Sequence, residues 1–177
     1  MSLYCILTNL VCVFPAQILW VNQRYGDAIF TVSTGLASLV YHSDEIYNSP
    51  LNTVAIRNVD IIMADLIVCH TCHMFFDFQR RWDWTISVLP IQIYAAELDV
   101  LYRFAFMILW GIIAISIALA HKDKYHVKYL VFGTLCILSE LLFFMFANKI
   151  HYYWLHGTHH ITAFVAQGLL LKSIKSL

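Results

Sequence analysis

The chain has 177 residues, of which 60% are hydrophobic and only 12% are charged, and its formal net charge is zero at pH 7. Soluble domains carry about 25% charged residues and about half apolar ones, so this composition predicts a membrane protein. A zero net charge gives no reason to expect a nucleic-acid partner. The five cysteines lie mostly inside apolar runs, which is not the pattern of a secreted disulfide framework.

Seven apolar stretches approach or reach the roughly 20 residues that a helix needs to cross a bilayer. They predict an all-α polytopic membrane protein in which residues 1–177 form one seven-helix transmembrane domain with short connectors. The first stretch lacks a preceding basic region, so we expect a membrane span there rather than a cleaved signal peptide. The predicted spans are residues 2–21, 27–46, 54–77, 84–99, 100–120, 126–148 and 152–172.

The fourth stretch, "WTISVLPIQIYAAEL", is the weakest because it is short, contains Pro90 and continues almost directly into the next span. A chain with six spans would place the C-terminus on the opposite side of the membrane from a chain with seven. The number of spans therefore decides where the C-terminus lies.

The orientation is predicted from the basic residues in the connectors, because cytoplasmic loops are enriched in lysine and arginine. Eight lie on one side and three on the other. The three on the N-terminal side are Arg57, Arg103 and Lys149, and the eight opposite are Arg24, Arg80, Arg81, Lys122, Lys124, Lys128, Lys172 and Lys175. We expect an exoplasmic N-terminus and a cytosolic C-terminus, in the secretory pathway or the plasma membrane.

Polar residues inside spans are costly and are functional candidates by default. The second span ends "STGLASLVYHSDE", in which Ser38 and His42 are four residues apart and share a helix face. The third begins "AIRNVDIIMADL", with Asp60 near its start, and the seventh begins "WLHGTHH", in which His156 and His160 are again four apart. The predicted topology places all five residues at one depth on the N-terminal side.

These residue types suit a catalytic zinc site. Neutral imidazoles bind Zn²⁺, and three protein ligands with an open fourth position are typical of catalytic zinc. His156 and His160 can chelate one ion from a single helix, and His42 would complete the set. The open position would hold water, whose pKa falls towards about 7 on zinc. Asp60 could accept its proton and Ser38 could orient it or donate to an oxyanion.

A hydrogen-bonded core histidine is the alternative interpretation for any one of these histidines alone, but the convergence of five polar residues favours a metal site. His159 lies at i+3 from His156, beside the chelating pair. We therefore expect it to be a neighbour of the site rather than a ligand.

Other polar residues in the spans have simpler interpretations. The stretch "CHTCH" at residues 69–73 matches the C-x-x-C-H pattern of haem attachment, but it lies inside the third span towards the cytosolic end. A structural role is expected there, with a second metal site as the alternative. Asp65 and Glu140 are expected to face the interior as neutral, hydrogen-bonded acids, and binding of a lipid headgroup is the alternative for them.

The ordered set S-x3-H, then D, then H-x3-H on seven spans resembles the CREST superfamily. This superfamily includes alkaline ceramidases, progestin and adipoQ receptors, and myomaker-like proteins with their GPI-processing phospholipase relatives. The stretches "RYGDAIFTVSTGLASLVYHSDE" and "YYWLHGTHHITAF" are most similar to the last of these branches. The resemblance implies a zinc ion on His42, His156 and His160, with Ser38 and Asp60 supporting the bound water.

Two functions follow as expectations from this resemblance. The first is a zinc-dependent intramembrane hydrolase that cleaves an amide or ester of a membrane lipid, with its site towards the lumenal or extracellular side. The alternative is a non-catalytic, myomaker-like protein of membrane remodelling or fusion, in which zinc is structural. A receptor is a third and less favoured interpretation. The sequence names neither the lipid nor the oligomeric state.

Overall fold

A computed structural model describes residues 3–47, 53–97, 100–146 and 152–177 of the chain. Within these ranges the chain is helical, which confirms the predicted all-α fold. Lys149 and the side chain of Arg103, two residues used for the orientation, lie outside the described part. The helices are α1 (Leu3–Val21, with a 3₁₀ turn at Asn9–Cys12), α2 (Tyr25–Tyr47), α3 (Thr53–Phe76), α4 (Arg81–Ala95), α5 (Val100–Ala120), α6 (Val127–Met145) and α7 (Tyr152–Ser173).

Each helix coincides with one predicted span to within a few residues, and α4 continues through Pro90. Among the described residues, the two helical stretches Leu3–Val21 and Val54–Phe76 are long and apolar enough to cross a membrane. Length and composition alone are weak evidence for a membrane protein. The number of crossings and their direction therefore remain predictions.

Helix α1 packs closely against both α2 and α7, and glycines make this approach possible. A Cβ atom built on Gly35 of α2 would lie 2.5 Å from Sγ of Cys12, and one on Gly157 of α7 would lie 2.6 Å from the ring of Tyr4. Real Cβ atoms do not come so close to a neighbour. Hydrogen at these two positions therefore lets α1 lie directly on the two helices that carry the predicted metal ligands.

A buried ion pair joins α2 to α4. The carboxylate of Asp27 is 1% exposed and accepts hydrogen bonds from Arg81, with Nη2 at 2.7 Å from Oδ2 and Nε at 3.0 Å from both oxygens. His70 of α3 lies with Nε2 at 3.0 Å from Oδ1 of the same carboxylate. One acidic side chain therefore holds the ends of three helices together.

The same network continues to a threonine of α4. Oγ1 of Thr85 lies 2.8 Å from Nδ1 of His70 and 3.1 Å from Nδ1 of His73. Both histidines of the "CHTCH" stretch are fully buried, and the Trp82 ring lies 4.3 Å from the His70 ring. These histidines are thus hydrogen-bonding residues at the contact of α2, α3 and α4, in agreement with the structural role expected of this stretch.

The connector between α5 and α6 is hydrogen-bonded to the C-terminal ends of α7 and α3. The backbone N–H of His126 donates to the carbonyl of Ser173 at 2.7 Å, and Tyr125 Oη donates to the carbonyl of Phe75 at 2.7 Å. Burial, with a smaller effect of the nearby Asp123 carboxylate, raises the pKa of Tyr125 above its usual value. The hydroxyl therefore stays protonated and keeps its role as a donor.

We predict that Asp27→Asn lowers the free energy of unfolding by about 3 to 5 kcal/mol, because it leaves the Arg81 side chain, which is only 13% exposed, without the charge of its buried partner. The measurement is equilibrium unfolding in detergent micelles. The matched control is Asp83→Asn, since Asp83 pairs with Arg80 where the two side chains are 68% and 65% exposed, and such pairs are worth about 0 to 1 kcal/mol. Equal losses for both variants would contradict a stabilising role of the buried pair.

A second prediction concerns the close approach of α1. Gly35→Ala should lower stability by about 1 to 3 kcal/mol, as overpacking typically does. Gly111→Ala should be neutral or stabilising by up to about 1 kcal/mol, because alanine is the better helix former and a Cβ there meets nothing within 4 Å. Both are measured by the same unfolding titration. A Gly35→Ala protein as stable as Gly111→Ala would show that α1 does not rest on α2 in this way.

Candidate metal centre

Three histidines meet between the end of α2 and the start of α7. His42 is 2% exposed, and its Nε2 lies 3.1 Å from Nε2 of His160 and 3.2 Å from Nε2 of His156. One ligand atom from each ring lies within 4.8 Å of the others. The three side chains are therefore close enough to hold one metal ion between them, as the sequence predicted.

The spacing of these nitrogens fits a tetrahedral metal ion. Ligand nitrogens at 2.0 to 2.1 Å from a tetrahedral ion are about 3.3 Å apart, close to both distances measured from His42. The alternative, hydrogen bonds between the rings, is less satisfactory. A ring nitrogen carries either one proton or one lone pair, so Nε2 of His42 cannot donate to one neighbour while accepting from the other. A cation between the three rings would accept a lone pair from each of them.

Neighbouring rings hold the ligands in place. The Tyr152 ring is stacked on His156, with the centroids 4.9 Å apart and the planes at 14°. The Tyr41 ring lies 5.0 Å from the His42 ring. Aromatic rings therefore pack against both of these candidate ligands.

His159 lies beside the three ligands and contacts an acid of α6. Its Nδ1 is 3.7 Å from Oε1 of Glu140, and the two side chains are 17% and 18% exposed. The His159 ring also stacks on His156 at 5.6 Å. His159 is outside the three-histidine group, as the sequence predicted, and Glu140 has a histidine partner from another helix.

Ser38 and Asp60, the residues predicted to assist the metal, differ in their exposure. Ser38 lies one turn before His42 and is 4% exposed, and its Oγ has no hydrogen-bond partner among the described residues. Asp60 is partly exposed near the start of α3, whereas Asp65 is 1% exposed. The roles of Ser38 and Asp60 in catalysis remain predictions.

One property of α2 was not predicted from the sequence. Five buried polar side chains follow one another along a single face of this helix, from the Asp27 ion pair to the histidine group: Asp27, Thr31, Thr34, Ser38 and His42. Successive members are three or four residues apart, so on an ideal helix they fall within an arc of about 80°. This spacing is visible in the sequence, and we call these residues the polar face of α2.

Comparison of the sequence with models of protein families, and with curated proteins, finds no match. The resemblance to the CREST superfamily therefore stays an expectation that rests on the residues quoted above. The geometry of the three histidines stands independently of it.

We predict that the protein binds a single Zn²⁺ and that His156→Ala weakens this binding by more than about 100-fold, since loss of even an outer-shell partner costs about 10- to 100-fold. His159→Ala should keep the stoichiometry, because His159 is not a ligand. Elemental analysis and competition with a chelator give the measurement. The control is His126→Ala, a histidine exposed in the α5–α6 connector. Equal zinc content in the His156→Ala and His126→Ala proteins would exclude the three-histidine site.

Proposed function

We propose that this protein is a zinc-dependent intramembrane hydrolase that cleaves an amide or ester of a membrane lipid. The observation that carries the proposal is the group His42, His156 and His160, in which three imidazole nitrogens converge at metal-ligand spacing. The membership of a CREST-like family, closest to the myomaker and GPI-processing phospholipase branch, is part of the same proposal.

Zinc is the proposed ion because three neutral imidazoles suit it and leave a position open. When bound, such an ion activates a water molecule and polarises a carbonyl group. The chain's own residues have the other roles. Ser38, buried one turn from His42, orients the reacting water or donates to the developing oxyanion, and Asp60 accepts the proton that the water gives up.

The proposal places the site in a membrane with seven spans, an exoplasmic N-terminus and a cytosolic C-terminus. Apolar composition and two helical stretches of sufficient length and apolarity support a membrane location. Helix α6 adds a face of large exposed apolar side chains, which a lipid would cover. They are Val131, Phe132, Leu135, Leu138 and Leu142, each between 50% and 58% exposed. A lipid substrate reaches the histidines from the surrounding bilayer.

The decisive experiment incubates zinc-loaded protein with a mixed lipid extract and reads the released fatty acids by mass spectrometry. We expect the wild type to release them and Asp60→Asn to lose about 10²- to 10⁴-fold in rate, which is the usual contribution of a general base. Ser38→Ala should also lose activity while its zinc content stays that of the wild type.

The matched control is Asp83→Asn, which removes an exposed carboxylate at the other end of the bundle from the histidine group. A protein that binds zinc stoichiometrically but releases no fatty acid would overturn the hydrolase. It would favour the alternative, a membrane-remodelling protein with structural zinc. Full activity of the Asp60→Asn protein would instead remove Asp60 from the mechanism.

A further inference from the structure

The polar face of α2 runs through the interior of the bundle between two polar centres. Asp27 at one end belongs to the ion pair with Arg81, and His42 at the other end belongs to the histidine group. The two are 15 residues apart, or about 22 Å along a helix axis. All five side chains of this face are at most 4% exposed. Polar groups buried in this way need partners, because an unsatisfied one costs about 1 to 3 kcal/mol.

The hydroxyls of the two threonines are satisfied within α2. Oγ1 of Thr31 donates to the carbonyl of Asp27 at 3.0 Å, and Oγ1 of Thr34 donates to the carbonyl of Phe30 at 3.1 Å. Each hydroxyl oxygen keeps a lone pair that can accept a further hydrogen bond. The middle of the polar face therefore offers acceptors to whatever lies beside it.

Three buried polar atoms around this face have no hydrogen-bond partner among the described residues. They come from three different helices: Oδ1 of Asn9 in α1, Oγ of Ser38 in α2 and Oε1 of Gln167 in α7. Their side chains are 1%, 4% and 7% exposed. Such groups in proteins are normally satisfied by internal water, which makes about three hydrogen bonds to them.

Packing places the residues that carry these atoms beside the polar face. The backbone carbonyl oxygen of Asn9 lies 3.2 Å from a Cβ built on Gly35, so the 3₁₀ turn of α1 touches α2 between Thr34 and Ser38. Nε2 of Gln167 donates to Oγ1 of Thr31 at 3.3 Å. Gln167 also lies two turns after His160, on the same face of α7. Helices α1, α2 and α7 thus surround one polar region next to the histidine group.

We propose that Asn9, Ser38 and Gln167 hold internal water in this region, and that this water supplies the histidine group. The second part rests on the proposed function. Hydrolysis consumes one water for each bond cleaved, with the hydroxyl going to the acyl carbon and the hydrogen to the departing amine or alcohol. A site that takes its lipid from the bilayer needs a separate source of water, and the polar face of α2 provides one.

Two free cysteines provide an internal probe of this water. Cys12 and Cys72 are almost equally buried, at 5% and 7% exposure. Sγ of Cys12 lies against Gly35, next to Asn9. Cys72 lines an apolar cavity of about 30 Å³ between α3, α5, α6 and α7, and apolar cavities stay dry.

The experiment generates hydroxyl radicals in the sample with an X-ray pulse and measures oxidation of each cysteine by mass spectrometry. Radicals form from water in contact with the side chain, so Cys12 should be oxidised faster than Cys72, which lines the dry cavity. Asn9→Leu and Gln167→Leu should each lower the Cys12 rate to that of Cys72. The matched control is Gln92→Leu, which replaces another buried glutamine, one that donates to Cys69 at 3.5 Å.

Equal oxidation of Cys12 and Cys72 in the wild type would overturn the inference. A fast Cys12 rate that neither Asn9→Leu nor Gln167→Leu reduces would overturn it as well. The two variants lie on different helices, so the loss of folding in one leaves the other as the test. Zinc content and fatty-acid release are measured on the same preparations. If the protein binds no zinc or releases no fatty acid while Cys12 is oxidised as expected, the proposed hydrolase is wrong and the inference of internal water stands.

Discussion

The fold depends on one constraint, which is that helix α2 carries polar side chains where an apolar bundle must cover them. Burying an unpaired charge or hydrogen-bonding group costs several kcal/mol, and the groups at the two ends of this face, Asp27 and His42, have their partners on other helices. At one end Asp27 takes Arg81 of α4 and His70 of α3. At the other end His42 contacts His156 and His160 of α7. Polar contacts, in addition to apolar packing, therefore determine which helices pack against α2.

Helix α1 contacts α7 beside the candidate metal ligands. The Tyr4 ring rests on Gly157, the residue directly after His156. Tyr4 Oη lies 3.2 Å from Oγ1 of Thr158, and Sγ of Cys5 donates to the carbonyl of Tyr153 at 3.0 Å. These contacts set how far α7 can slide along α1. Since α1 also lies against Gly35 of α2, the two helices that carry the ligands share one support.

Much of this arrangement could be predicted from the sequence. Runs of apolar residues predicted the helices to within a few residues at each end, because a long apolar segment favours a helix. The grouping of His42 with His156 and His160 followed from placing three separate segments at one depth. That step used only the order of the spans, which is a coarse property.

The Asp27 network could not be predicted in the same way. Asp27, Arg81 and Thr85 lie at the starts of helices, where charged and polar residues are usually solvated. Nothing local distinguishes Arg81, which is paired with a buried acid, from its exposed neighbour Arg80. Which one turns inward depends on the packing of α2, α3 and α4, a tertiary property. A structural role was expected for the "CHTCH" stretch, but its histidines were not predicted to be partners of Asp27 and Thr85.

The structural and catalytic interpretations of the metal make different demands on its ligands. Structural zinc sites are closed by four protein ligands, whereas catalytic sites keep one position for water or substrate. The described residues bring three candidate ligands together, and Nδ1 of the neighbouring His159 lies 3.7 Å from Oε1 of Glu140. An ion held by this set would still link α2 to α7 and stabilise the fold by mass action. Stabilisation by a bound metal therefore does not separate the two interpretations.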